Sequence, residues 1–128
     1  MKLEAISALL DSLGFGVEGK DIFINEMPAD CKTGILLLDT YSGSEIDHYK
    51  PGYYDTGFRV AVRAVQFTTG ADLALRLVKA MTIHSDTPSE SITIRQMLPV
   101  NLPRPYRRSV GGFWEFEIDV DLVFLVET

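Results

Sequence analysis

From Trp114 to Val126 the sequence alternates with a period of two. Trp114, Phe116, Ile118, Val120, Leu122, Phe124 and Val126 fall on one side, and Glu115, Glu117, Asp119 and Asp121 on the other. Successive side chains of a β-strand point to opposite faces, so this stretch predicts a long strand with one face in a core and one in water. So long an apolar face needs another layer to cover it, either helices or a second sheet. Val123 and Leu125 interrupt the polar row and predict cover on both sides at the strand's end.

Two helices are available to supply that layer. Leu3, Ile6, Leu9, Leu10 and Leu13 recur at spacings of three and four, which predicts a helix over 3–13 that stops at Gly14 and Gly16. Ala74, Leu77, Val78 and Met81 form a second stripe. It predicts a helix over 70–83 with Thr68 or Thr69 as its cap and Asp72 in its first turn. Strand signals lie at Ile22–Ile24, at Gly34–Thr40, whose apolar run suits cover on both faces, and at Phe58–Val65, where Arg59 and Arg63 alternate with apolar residues. Asp86–Ser89 reads as a turn and Ser91–Met97 as a strand rich in β-branched residues. Pro99, Pro103 and Pro105 remove ladder donors, so the segment around them is excluded as a central strand. The expected fold class is α+β, with two helices packed on one face of a mostly antiparallel, mixed β-sheet and the strand from Trp114 central in it. Residues 1–128 form a single domain, with a long exposed loop over 41–57 and a Pro/Arg-rich loop over 99–112.

The 128 residues suffice for one core without metal or disulfide. Hydrophobic residues make up 46% and charged residues 23%, a globular balance. Twelve Lys and Arg against 18 Asp and Glu give a formal net charge of -6, which disfavours non-specific binding to duplex phosphates. Cys31 is the lone cysteine; it excludes an internal disulfide and suits a reducing compartment. The amphipathic start carries Glu4 and Asp11 and lacks a signal-peptide core, and no apolar run approaches a bilayer span, so a soluble protein without a membrane partner is expected.

Catalytic patterns are missing where they would have to occur. Gly14, Gly16 and Gly19 follow a helix, whereas a phosphate loop precedes one. His48 and His84 stand in no metal-ligand pair, and Ser42, Ser44 and Ser109 have neither a base nor a nucleophile elbow beside them. Glu115, Glu117, Asp119 and Asp121 are spaced as a solvated or partner-facing row rather than as an acid–base pair in a cleft. The expectation is no catalytic residue, no metal and no cofactor. Interface chemistry is better represented. Tyr41, Tyr49, Tyr53 and Tyr54 crowd the 41–57 loop, and tyrosine is enriched at protein interfaces, although some of these rings could instead fold back on the core. Arg104, Tyr106, Arg107 and Arg108 form the basic cluster, with side chains expected to project. Glu115, Glu117 and Asp119 offer acidic partners for head-to-tail contact between copies.

The order of these pieces resembles the bacteriophage minor capsid and tail-terminator (head–tail joining) proteins of long-tailed phages. The likeness runs from the Leu-rich first helix with Gly14-Phe15-Gly16-Val17 and Ile22-Phe23-Ile24, through Met27-Pro28-Ala29-Asp30 and Ile35–Thr40, to Phe58–Arg63. It continues through Ala71, Ala74 and Leu77 and closes on Gly112–Val120. The chain departs from the family pattern at Tyr41-Ser42-Gly43-Ser44, where the family has a Gly/Pro-rich segment, and in the tyrosines that follow. The resemblance implies a tail-terminator-like fold and a structural subunit of a ring, commonly of six copies. Such a ring caps the tail tube, docks to head-completion proteins and lets DNA pass as cargo. It further implies a place at the neck of the virion after assembly in the host cytoplasm, and assigns no catalytic residue. A non-viral soluble adaptor and a small hydrolase or nuclease are the rival readings of the residues.

Overall fold

The computed structural model describes residues 2–39, 49, 52–107 and 112–126. Helix α1 (Lys2–Ser12) leads to strands β1 (Ile22–Ile24), β2 (Gly34–Asp39) and β3 (Tyr53–Ala64). Helix α2 (Phe67–Ala80) is then followed by β4 (Thr87–Ser89), β5 (Ile92–Pro99), β6 (Arg104–Arg107) and β7 (Trp114–Val126). The strands form one seven-stranded sheet in the order β1-β2-β3-β7-β5-β4, with β6 also paired to β7. β1 and β2 run parallel and the other pairs antiparallel. The expected α+β class and the central position of β7 both hold.

β7 organises the sheet. It pairs with β3 from Trp114↔Ala64 to Leu125↔Tyr53. Its other edge is shared, β5 taking Val120–Val126 and β6 taking Trp114–Glu117. Between those two, Asn101 stands in for a strand. Its Oδ1 accepts from the Asp119 N–H at 2.8 Å, its Nδ2 donates to the Glu117 carbonyl at 3.3 Å, and the Val100 N–H reaches the Asp119 carbonyl at 2.8 Å. The backbone groups of a buried strand need partners, and the Asn101 side chain with the Val100 N–H supplies them where the ladder is interrupted.

The apolar row of β7 faces the helices as its alternation requires: Phe116, Ile118, Val120, Leu122 and Phe124 are buried with Val60, Val62, Leu37 and Ile35. α2 lies across β3 and β7. It comes close enough to do so because residue 70 is glycine: a Cβ there would stand 2.4 Å from Phe116 Cε1 and 3.1 Å from the Ala64 Cβ. Phe67 then closes edge-on over Trp114 and Phe116, at centroid distances of 5.0 and 5.3 Å. α1 covers the remainder, contacting β1, β2 and β4. Two strands at opposite ends of the sheet order therefore meet one helix, and the sheet curls around it.

Several local expectations are corrected. β3 begins at Tyr53, so the last five residues assigned to the 41–57 loop belong to a strand paired with β7. α2 starts at Phe67 after Gln66, with no side-chain cap from Thr68 or Thr69 and no acidic residue in its first turn, and it ends at Ala80. Thr87–Ser89 is an edge strand rather than a turn, because the reversal sits at Glu90, where φ is +52°. The Pro/Arg-rich segment contains β6, whose one proline, Pro105, is tolerated because it is a short outer strand. Leu36 and Leu38 of β2 are half-buried, not covered on both faces.

Phe116 is 2% exposed, and Phe116→Ala should cost about 3–5 kcal/mol in a denaturant titration; a loss below about 1 kcal/mol would contradict this packing. Gly70→Ala should also destabilise, although alanine is worth about 1 kcal/mol more than glycine within a helix. Its cost should shrink in the Phe116→Ala background, as a double-mutant cycle would read directly.

Candidate assembly interface

The helix-free face of the sheet is built by the same alternation read from its other side. Opposite Glu115, Glu117 and Asp119 on β7, strand β3 places Arg63, Ala61 and Arg59, and β6 places Tyr106 and Arg104. Cross-strand neighbours on one face lie within reach of each other, and the charges pair. Arg63 Nε meets Glu115 Oε2 at 3.1 Å, Arg59 Nη1 meets Glu117 Oε2 at 3.2 Å, and Arg59 Nε meets Asp119 Oδ1 at 2.9 Å. Arg104 Nη2 reaches the other oxygen of Asp119 at 3.1 Å. Asp119 thus bridges β3 to β6 across β7.

The pairs differ in depth. Arg63 and Glu115 are nearly enclosed, with side chains 13% and 9% exposed. Arg63 Nη1 also donates to the Pro28 and Cys31 carbonyls, at 3.0 and 3.3 Å, which ties the β1–β2 turn to the sheet. Its guanidinium carbon lies 5.5 Å from the centre of the Phe113 ring. Asp119 is more open. Hydrogen bonding to Arg59 first, and then to Arg104, holds its carboxyl below the usual range against the opposing effect of burial. The same bonds to Asp119 raise both guanidinium groups.

The residues singled out as interface candidates have different placements. Glu115, Glu117, Asp119, Arg104 and Tyr106 come together on this face. Arg104 is paired with Asp119 in its own chain, which corrects the expectation of a projecting side chain for this one arginine: its segment is in a ladder beside the acidic row. Arg107 lies opposite Trp114 at the end of β6, and Arg108 and Tyr41 lie outside the described residues. Tyr49 is 96% exposed. Tyr53 begins β3 opposite Leu125, whereas Tyr54 turns to the helix side and stacks on Phe124 at 5.2 Å. Sequence reasoning missed Lys2, Asn101 and the roles of Arg59 and Arg63. For the two arginines a signal existed, since basic residues alternate in one strand as acids do in another.

A shallow concavity of about 500 Å³ opens on this face between β2, β3 and β7, lined in part by Leu38, Arg59, Asp119 and Asp121. Among the described residues, no three His, Cys, Asp or Glu side chains group to hold a metal ion, and no helix is long and apolar enough to cross a membrane. What the face presents is a charge-paired surface.

Because the Asp119 carboxyl titrates lower in the folded chain than in the unfolded one, its stabilisation is present above the ordinary carboxylate range. It is lost as pH falls through the depressed value. Asp119→Asn should therefore lower the melting temperature at neutral pH, and the gap to the native chain should close below about pH 4. A gap that stays constant into acid would show that the charge contributes nothing.

The sequence matches the family model described as bacteriophage tail terminator protein over residues 9–125. Among solved structures, a chain described as "Virion of native gene transfer agent (GTA) particle" shares the fold with a TM-score of 0.59 at 14% identity, over 97% of this chain and 89% of that one. No curated protein matches the sequence. With a family match across nearly its whole length, the chain belongs to the bacteriophage tail terminator proteins and has a structural role in tail termination.

Proposed function

We propose that the chain assembles in the host cytoplasm as a ring of six copies that caps the tail tube, stops its growth and docks a head-completion protein. DNA passes through the ring as cargo. The observation that carries this reading is the family match over residues 9–125, which spans the end of α1, the whole of α2, the charged face and all of β7 but its last residue. A capping ring needs subunits that keep their shape while binding on several sides. The interstrand ion pairs and the Asn101 splint supply such rigidity, and preorganised surfaces lose less entropy on docking.

Tyr49 and Tyr53 belong, in this reading, to a surface that meets the tube or the head, since ordered tyrosines bring large amphipathic area at modest entropic cost. An acidic protein neighbour is the partner this reading assigns to Arg107 and Arg108. A net charge of -6 suits a channel that does not grip duplex phosphates.

Labelled protein added to purified tail tubes should appear at tube ends by electron microscopy. Label along the walls, or none at the ends, would sink the capping role. Replacing Arg104, Arg107 and Arg108 together with Gln should block attachment of tails to filled heads. Complete particles that deliver DNA poorly would place the arginines on the channel instead, and normal attachment with normal delivery would make them solvated surface only. Because Arg104 holds Asp119, the melting temperature of the triple variant must be followed beside Arg107→Gln/Arg108→Gln, which leaves that pair intact.

A further inference from the structure

Among the described residues the sheet ends on β1, β4 and β6. An edge strand carries a row of unpaired N–H and C=O groups, which accepts a strand from another chain unless something blocks it. Each of these edges is blocked, and by different means.

On the β1 margin the backbone of Ile22 bonds to the turn before it. Its N–H donates to the Val17 carbonyl at 3.2 Å, and its carbonyl accepts from the Gly19 N–H at 2.9 Å. The Ile24 carbonyl accepts from the Glu26 N–H at 2.8 Å. Asn25 then covers the end of β2 that β1 does not reach. It stands at φ +65°, its N–H donating to the Leu37 carbonyl at 2.8 Å and its Oδ1 accepting from the Asp39 N–H at 3.5 Å. Asn101 does the same for β7 between β5 and β6, so an asparagine stands at each of two places where a strand could enter.

Prolines close the other margins. Pro88 is the middle residue of β4 and Pro105 the second of β6. Proline has no N–H, and in an edge strand it turns that gap outward, where an incoming strand would need a donor. Past β4, Ile83 exchanges both backbone bonds with Met97, at 2.8 and 2.9 Å, and β5 ends on Pro99. Main-chain pairing brings affinity while side-chain pockets bring selectivity, and head-to-tail addition runs on without limit unless its rotation closes. An open edge would therefore suit a chain that extends a polymer and not one that ends it.

We propose that the closed perimeter is an assembly control: it bars strand addition at every described margin, so that the chain meets its assembly partners through side-chain surfaces and never by sharing a sheet. This holds for any number of copies and stands apart from the ring reading above.

The test restores the missing donors. Pro88→Thr and Pro105→Thr each place a residue suited to a strand where the edge now lacks an N–H. In sedimentation velocity over a concentration series, the native chain should give discrete species without thioflavin T emission. Each single variant should shift toward a dimer through its one opened edge. The double variant should shift to ever larger, open-ended species, with thioflavin T emission rising in step. Melting temperatures report folding, and the single variants carry the same comparison if the double variant loses its transition. Folded variants that sediment like the native chain would overturn the proposal, as would open-ended, thioflavin-positive association of the native chain. A reconstruction of assembled particles by electron cryomicroscopy reads the point directly: neighbours should meet β1, β4 and β6 without a shared ladder, and a ladder crossing between chains at any of them would refute the control.

Discussion

Both margins of the sheet come to rest on α1, and the form of the molecule follows from that contact. β1 and β2 meet the helix from one side and β4 from the other, where the Ser89 hydroxyl donates to the Ala5 carbonyl at 2.7 Å. Ile6 and Leu10 then fill the concavity so formed. Lys2 fixes the helix at its start. It is 6% exposed, and its ammonium reaches Asp39 at 2.9 Å, the Gly57 carbonyl at 3.0 Å and Thr56 at 3.1 Å. A buried cation is tolerable only when its donors are used in this way, and removing the carboxylate would leave an uncompensated charge. Charge and apolar packing therefore specify one register of α1 on the sheet, and the curl leaves a single broad face without helices.

On that face the ion pairs act across strands rather than along them. Exposed pairs contribute little to stability individually, but Asp119 holds an arginine from β3 and another from β6, so a slip of either strand would break its own contact and a slip of β7 would break both. Since a slip by one residue also turns every core side chain outward, the polar and apolar rows of β7 enforce the same alignment. Rigidity of the outer face is thus a by-product of the pattern that folds the inner one.

The long elements were legible in the sequence because their signals are periodic over many residues. β7 and the two helices stand where the alternation and the stripes put them, with ends shifted by a few positions. What escaped was short or held by partners distant in sequence. β4 and β6 have three and four residues, too few for a period to emerge, and both exist because a neighbouring strand offers an edge. Tyr53–Gly57 looked like loop because glycine, aspartate and tyrosine crowd there, yet pairing with β7 overrides that local composition. At the site, the acidic row and Arg104 were visible as charges, but not that one neutralises the other within the chain. Fifteen residues separate Arg104 from Asp119 and sixty separate Arg59 from it, and only the strand order brings them together.

The electrostatics of Asp119 point the same way as the family. A carboxyl that serves as general acid at neutral pH needs its proton held, through burial or a like-charged neighbour, so that its pKa rises. Asp119 is held the opposite way, its charged form favoured by two guanidinium groups. The arginines are equally committed, since a guanidinium already facing a carboxylate has less to offer a passing phosphate. Carboxylates and arginines that neutralise one another make a poor reaction centre and a poor grip on DNA, but a good wall: β7 seals the core with one face and stiffens the subunit with the other.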